Sequence, residues 1–306
     1  MPERATSDAA GSEEKGTVPF FEVASGPEKG TVPIFFAGTG VRSCRTIARV
    51  PPLAFFVVYA GLVGLIVGSY LNVVVHRLPL HQSTVLPRSR CPKCGAAIRA
   101  RDNLPVVSWL LLGGRCRDCG TAISVRYPLI ELLTGALFAG AVLRFGATPT
   151  AVGAALFSAA LVALAAIDVE HFLLPDKITL PGIALGLAAQ PLLAWGSLPG
   201  ALQGALFGAG ILLVMAGLWE LLRGVEGMGL GDVKMLAMVG AFLGPHGVVV
   251  TLVFASFAGS VVGITLLARG SIELQGKLPF GLFLAVGGAI ALFAGEPLAR
   301  AYLALL

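Results

Sequence analysis

The chain has 306 residues, 56% of them apolar and only 13% charged, with a mean hydropathy of +0.85 and a formal charge of +5. A soluble globular domain carries about 25% charged residues, so this composition excludes a water-soluble enzyme and points to a multi-pass membrane protein. The modest positive charge fits membrane topology and anionic lipid headgroups, with no nucleic acid as a partner.

The first 52 residues differ in kind. They carry Pro, Gly, Ser and Glu, and Glu14-Lys15-Gly16-Thr17-Val18-Pro19 is echoed at Glu28-Lys29-Gly30-Thr31-Val32-Pro33. Two copies fall short of a solenoid, and the segment reads as a disordered low-complexity tail. It does not read as a secretory signal peptide, because its basic region at Arg42, Arg45 and Arg49 lies far from the start and the following apolar run is too long. Cys44 in this tail has no assigned role.

Runs able to cross a hydrocarbon core of roughly 30 Å follow at Leu53–Val75, Leu129–Leu143, Thr150–Ile167, Ile178–Trp195, Ala201–Trp219, Val248–Ala268 and Leu278–Gly295. An eighth, Met235–Leu243, is short and stops at Gly244, Pro245, His246 and Gly247, which fits a tilted span or a re-entrant piece. The expected fold is an all-α polytopic membrane protein of about eight transmembrane helices. Its first helix is 53–75, a loop follows at 76–128, and a polytopic domain fills 129–306.

The 76–128 loop holds nine Lys and Arg against two Asp, which places it in the cytoplasm. Arg42, Arg45 and Arg49 dissent from the outer side, but nine charges outweigh three. Counting spans from this loop brings Asp168, which closes the run 150–167, and Asp232, which closes Gly227-Met228-Gly229-Leu230-Gly231, to the same cytoplasmic face.

Within the loop lie two Cys-x-x-Cys pairs, Cys91-Pro-Lys-Cys94 and Cys116-Arg-Asp-Cys119. Gly95 and Gly120 follow the second cysteine of each pair and permit the tight turn of a zinc knuckle. Two disulfides are the plainer alternative, disfavoured in a reducing cytoplasm. Four thiolates fill a tetrahedral shell and leave no open position for water, so the ion would be structural, folding a loop too polar to build its own core.

An ionisable group at the end of a hydrophobic span is a functional hypothesis by default, although a carboxylate there also serves as a solvated interface residue or a helix cap. Gly229 and Gly231 leave the backbone before Asp232 free for unusual dihedrals and close approach by another segment; glycines equally fit helix packing in lipid. Glu220 and Arg223 are spaced to pair on one helix, and Asp176 after Pro175 is placed to cap the next helix. Glu131, inside the second span, should face the bundle interior with a partner the sequence does not name. If Asp168 and Asp232 approach each other, they cannot both stay ionised and will share a proton. One then activates water while the other donates to the developing oxyanion, the arrangement of an aspartic protease. The same pair could carry protons or bind a cation in a transporter.

Gly68-Ser69-Tyr70-Leu71-Asn72-Val73-Val74-Val75-His76-Arg77-Leu78-Pro79, the two knuckles, Arg126-Tyr127-Pro128-Leu129-Ile130-Glu131, Asp168-Val169-Glu170-His171-Phe172-Leu173-Leu174-Pro175-Asp176 and Gly227 through Lys234 together resemble the type IV prepilin peptidases. The resemblance runs from about residue 60 to the C-terminus. It implies that Asp168 and Asp232 are the catalytic pair and that Cys91, Cys94, Cys116 and Cys119 form a cytoplasmic zinc loop. It further implies an enzyme of the bacterial inner membrane that cuts the basic leader from type IV prepilin and type II secretion pseudopilin precursors at the cytoplasmic face. Such enzymes then methylate the new amino terminus with S-adenosylmethionine. Methylation rests on the resemblance alone: the glycines at 227–231 are no dinucleotide fingerprint, lacking a strand–helix unit.

Two other readings stand beside this one. A transporter would show related halves and charges near the midplane, whereas the second half does not repeat the first. A peptidase-only intramembrane protease of the Gly-x-Gly-Asp type would not need a zinc loop. One departure is visible: the family's Pro-Phe-Gly-Pro element reads Pro279-Phe280-Gly281-Leu282, a change expected to relax the backbone while touching neither aspartate. Glu170, Asp176 and Glu226 are expected to receive a basic leader.

Overall fold

The computed structural model describes residues 52–86, 89–224, 229–269 and 278–304. The tail expected at 1–52 lies outside them except for Pro52, whose extended backbone precedes the first helix. The described residues form eight α-helices and two isolated β-bridges. They are α1 (Leu53–Arg77), α2 (Val107–Leu111), α3 (Arg126–Phe145), α4 (Pro149–His171), α5 (Asp176–Ala188), α6 (Leu198–Arg223), α7 (Leu230–Ala268) and α8 (Phe280–Leu303).

Every apolar run of the sequence holds a helix, as lipid demands, because a helix satisfies its own backbone N–H and C=O groups, although the run 178–195 is α-helical only as far as Ala188. Six of the helices, α1, α3, α4, α6, α7 and α8, are long and apolar enough to cross a membrane. Two of them, α4 and α6, start on a side-chain cap. The hydroxyls of Thr148 and Ser197 accept from the N–H groups of Ala151 and Gly200, with a proline in the first turn of each helix. α5 has 13 residues, about 20 Å at ~1.5 Å per residue, and continues through a 3-10 turn at Gln190–Leu192.

The short eighth run resolves into one limb of α7. Gly244 breaks that helix with φ 71° and ψ −174°, the same dihedrals as Gly146, where the chain turns from α3 back into α4. Before the break, Gly204 meets Gly240 and Gly208 meets Leu236, so the first limb runs antiparallel to α6. After it, Thr251 meets Gly287, Phe283 meets Gly259 and Leu278 meets Gly263, so the second limb runs antiparallel to α8 and back toward the end it left. The first limb, some 14 residues and roughly 21 Å long, is helical but shorter than the hydrocarbon core.

Small residues bring the helices together. A Cβ on Gly64 would lie 2.8 Å from Gly135 Cα, and one on Gly68 would lie 2.7 Å from Glu131 Cα, so α1 and α3 touch backbone to backbone. At the α6–α7 crossing, a Cβ on Gly240 would overlap the Gly204 carbonyl and lie 2.7 Å from Ala205 N. Larger side chains fill the centre, where Phe157 stacks on Phe242 at 4.7 Å and Leu164, Met235 and Met238 are fully buried.

Polar contacts mark the two ends of the bundle. At one, Arg126 pairs with Glu170, and Lys234 with Asp176 at 2.7 Å. At the other, Arg144 pairs with Glu296 at 3.2 Å and Phe145 packs on Trp195 at 5.1 Å. The cysteine loop joins α1 to α3 at the first end.

Candidate active site and metal centre

Asp168 occupies the last turn of α4 and is 6% exposed. The helix stops three residues on because Phe172 adopts a left-handed conformation (φ 51°), its N–H bonding the Asp168 carbonyl at 2.9 Å. Leu173-Leu174-Pro175 then leads into α5. Asp232 sits in the first turn of α7, its N–H donating to the Gly229 carbonyl at 3.2 Å.

Leu174 ties these segments together. A Cβ on Gly231, next to Asp232, would lie 2.8 Å from Leu174 Cβ. One on Gly281 would lie 2.9 Å from Asp168 Oδ2 and 3.0 Å from both Leu174 methyls. The ends of α4, α7 and α8 thus converge on one spot, with Leu174 bridging Gly231, beside Asp232, to Gly281, against Asp168. Neither glycine takes an unusual dihedral, Gly229 being extended (φ −76°, ψ 142°) and Gly231 helical; Gly231 acts through its closeness to Leu174, while Gly229 has only ordinary contacts within its own turn.

Several expectations need correction. Leu282 does touch an aspartate: its N–H donates to Asp168 Oδ2 at 3.1 Å, a bond no proline can make. Asp176 makes no side-chain capping bond; it pairs with Lys234 instead, through oxygens 2.7 and 2.8 Å from Nζ. Glu170 is occupied by Arg126, with His171 at 3.9 Å. Both carboxylates thus already hold a cation of this chain, and Glu226 lies outside the described residues. Arg223 lies over the Trp219 ring at 5.2 Å. Glu131 is buried as expected, and its partner is the backbone N–H of Val106 at 2.7 Å. Val106 holds a left-handed φ of 62°, which a β-branched residue rarely adopts. Sequence pattern carried no sign of that contact.

The four cysteines come together, with their Sγ atoms all within 4.8 Å of one another and Cys91 Sγ 3.8 Å from Cys119 Sγ. Sulfurs on a tetrahedral zinc at about 2.3 Å stand about 3.8 Å apart, far beyond the ~2.05 Å of a disulfide. The two knuckles are near-copies. Gly95 N–H bonds the Cys91 carbonyl and Gly120 N–H the Cys116 carbonyl, each at 2.9 Å, and both glycines have positive φ. The Thr121 hydroxyl and backbone draw the Cys119 thiol down to about 6. Cys94, despite the Ala96 N–H, is pushed up to about 11 by the Cys91, Cys119 and Cys116 thiols around it. The donor set fits one thiophilic divalent ion. Arg117 clamps the second knuckle to Asp102 through bonds of 3.1, 3.0 and 2.6 Å. Trp109 Nε1 donates to the Ile123 carbonyl at 3.1 Å.

Between this loop and the ends of α1 and α3 lies a cavity of about 440 Å³, lined among others by Asn72, His76, Trp109, Tyr127 and Glu131. Neither aspartate borders it. A second, almost wholly apolar groove of about 430 Å³ runs between α3, α4 and α8 past Leu137 and Ala165 to Leu282, beside Asp168.

A helical multi-pass bundle with two aspartates gathered at one end and a four-cysteine loop beside them defines a polytopic membrane protein with a carboxylate site and a separate thiol cluster. Residues 62–145 match the bacterial peptidase A24 N-terminal domain, and residues 155–264 the type IV leader peptidase family. The chain is 42% identical over 271 residues to a prepilin leader peptidase/N-methyltransferase of Burkholderia pseudomallei, covering 80% of this chain and 88% of that one. It is 42% identical over 275 residues to the protein of that name from Pseudomonas aeruginosa (82% and 94% covered). With the namesake from Myxococcus xanthus it shares 46% over 213 residues (69% and 63%). The chain belongs to the type IV leader peptidase family. No solved structure matches it.

Proposed function

We propose that this protein removes the leader peptide from type IV prepilin and pseudopilin precursors and N-methylates the new terminus, with Asp168 and Asp232 as the hydrolytic pair. The observation that carries the reading is the convergence of the two aspartates at one bundle end through Leu174, Gly231 and Gly281, in a chain whose relatives are prepilin leader peptidases. One carboxylate, ionised, takes a proton from water, which attacks the scissile carbonyl. Its protonated neighbour donates to the developing oxyanion and then to the leaving amine. The Leu282 N–H holds Asp168 in position, and the apolar groove that ends there suits a hydrophobic stretch of substrate.

Zinc on Cys91, Cys94, Cys116 and Cys119 folds the loop and takes no part in hydrolysis, since four sulfurs complete its shell. S-adenosylmethionine is the methyl donor. The basic loop orients the site to the cytoplasm in the bacterial inner membrane.

Co-expression with a tagged prepilin in a strain lacking its own peptidase tests this, with leader loss followed by mass. Wild type should cleave and add one methyl group, while Asp168→Asn and Asp232→Asn, well folded, should leave the precursor whole. Cleavage by both variants would remove the carboxylates from the mechanism.

A further inference from the structure

The two family matches divide the chain, and both aspartates fall in the second, at 155–264. Cleavage therefore leaves the first, at 62–145, without a chemical role, while the relatives' shared name carries a second activity. The 440 Å³ cavity is built wholly from that first segment and has the size of a small-molecule site.

Asn72 on its wall is 2% exposed. Its Nδ2 donates to the carbonyls of Gly68 and Tyr127 at 3.2 and 3.1 Å, while its Oδ1 has no hydrogen-bond partner. An orphaned buried acceptor costs ~1–3 kcal/mol and calls for a donor from outside the protein. Beside it stands Glu131, 7% exposed, whose one hydrogen-bonding partner among the described residues is the Val106 N–H. Glu131 makes no ion pair among the described residues, and Arg117 in the same lining is taken by Asp102, so a buried carboxylate is left open to a cationic group. Arg77 and Arg90 stand elsewhere on the cavity wall to meet a carboxylate. Trp109 and Tyr127 add flat rings to the same lining. Together they fit a compact ligand carrying a positive centre, N–H or O–H donors and a planar ring system.

We propose that this cavity holds S-adenosylmethionine, with Glu131 facing its cationic end and the Asn72 Oδ1 accepting one of its N–H or O–H groups. The assignment rests on the proposed function above. Bound there, the cofactor supplies a methyl group to the substrate's new amine nitrogen, the C–S bond breaking toward sulfur and the amine's proton leaving to solvent. The cysteine loop forms one wall through Cys91 and Cys116, so the metal's part is to keep that wall folded. The helix contact at Gly68, backed against Glu131 Cα, holds Asn72 and Glu131 on the same wall.

Full-length protein in lipid nanodiscs, dialysed against tritiated S-adenosylmethionine, provides the test. Glu131→Gln keeps an acceptor for Val106 but loses the charge, and Val73→Trp fills the cavity without removing a hydrogen bond. Melting temperature and metal content verify that each variant is folded. The wild type should bind, both variants at least tenfold more weakly, and Asp168→Asn, inert in cleavage, as tightly as wild type. Undiminished binding in both cavity variants overturns the assignment, as does a wild type that cleaves prepilin but binds no cofactor. A wild type that fails to cleave overturns the underlying function, and the assignment with it.

Discussion

Adding one methyl group at Gly281 tests the geometry around Asp168. The Cβ of Gly281→Ala would arrive 2.9 Å from Asp168 Oδ2 and 3.0 Å from both Leu174 methyls, against an ordinary contact of about 3.5 Å. Leu174 cannot retreat freely, because its own Cβ is backed by Gly231. The carboxylate must therefore move by roughly half an ångström, away from the Leu282 N–H. A displacement of about 1 Å in a catalytic group costs about a hundredfold in rate. We expect kcat for leader removal to fall 10- to 100-fold, about 1.4–2.7 kcal/mol in the barrier, with KM little altered. Overpacking should lower stability by ~1–3 kcal/mol, which a melt will register separately. Gly295→Ala, on the same helix with nothing within 4 Å of the new carbon, is the control and should behave as wild type. A folded Gly281→Ala that cleaves within threefold of wild type would refute the placement of Asp168.

Leu282→Pro removes the N–H that Asp168 accepts, while the ring is tolerated in the first turn of α8. With a hydrogen bond to a charged group worth ~1.5–3 kcal/mol, kcat should drop by about tenfold to a hundredfold, and an unchanged rate would mean that other contacts hold the carboxylate. Gly240→Ala drives a methyl into the Gly204 carbonyl; we expect it to separate α6 from α7 and lower the melting temperature, an outcome contradicted by a wild-type melt. Metal analysis should return one ion per chain, lost in Cys94→Ser. Protons compete with the metal for thiolates, so the ion should stay bound at neutral pH and be released on acidification. Retention at pH 4 would argue against an all-thiolate site.

Much of this architecture was legible from residue pattern because lipid imposes a simple code. Each uncharged run had to be a helix, and charge asymmetry ordered the ends. Asp168, Asp232 and the four cysteines stood out as groups costly or pointless in such a chain without a task. Glycine turns after the knuckles were equally readable, since Gly95 and Gly120 do take positive φ. What escaped was contact across long stretches of chain. Leu282 reaches Asp168 over 114 residues and Lys234 reaches Asp176 over 58, and no local propensity encodes either. Asn72 stood in the sequence only as one member of the motif at 68–79; the packed structure reveals its unpartnered oxygen. The Glu131 bond required a left-handed valine, which sequence preference argues against.

The contact between α6 and the first limb of α7 has a mechanical consequence. Gly204 and Gly240 meet there, and Gly208 fits against Leu236, with backbone on backbone and no rotamers to absorb a sliding motion. The two segments should therefore move as one plank. Asp232 rides on that plank and Asp168 on α4, so if the two act as the proposed pair, their tightening around substrate has to swing α6 as well, and a crosslink from α6 to a neighbour other than α7 should then brake cleavage from a distance.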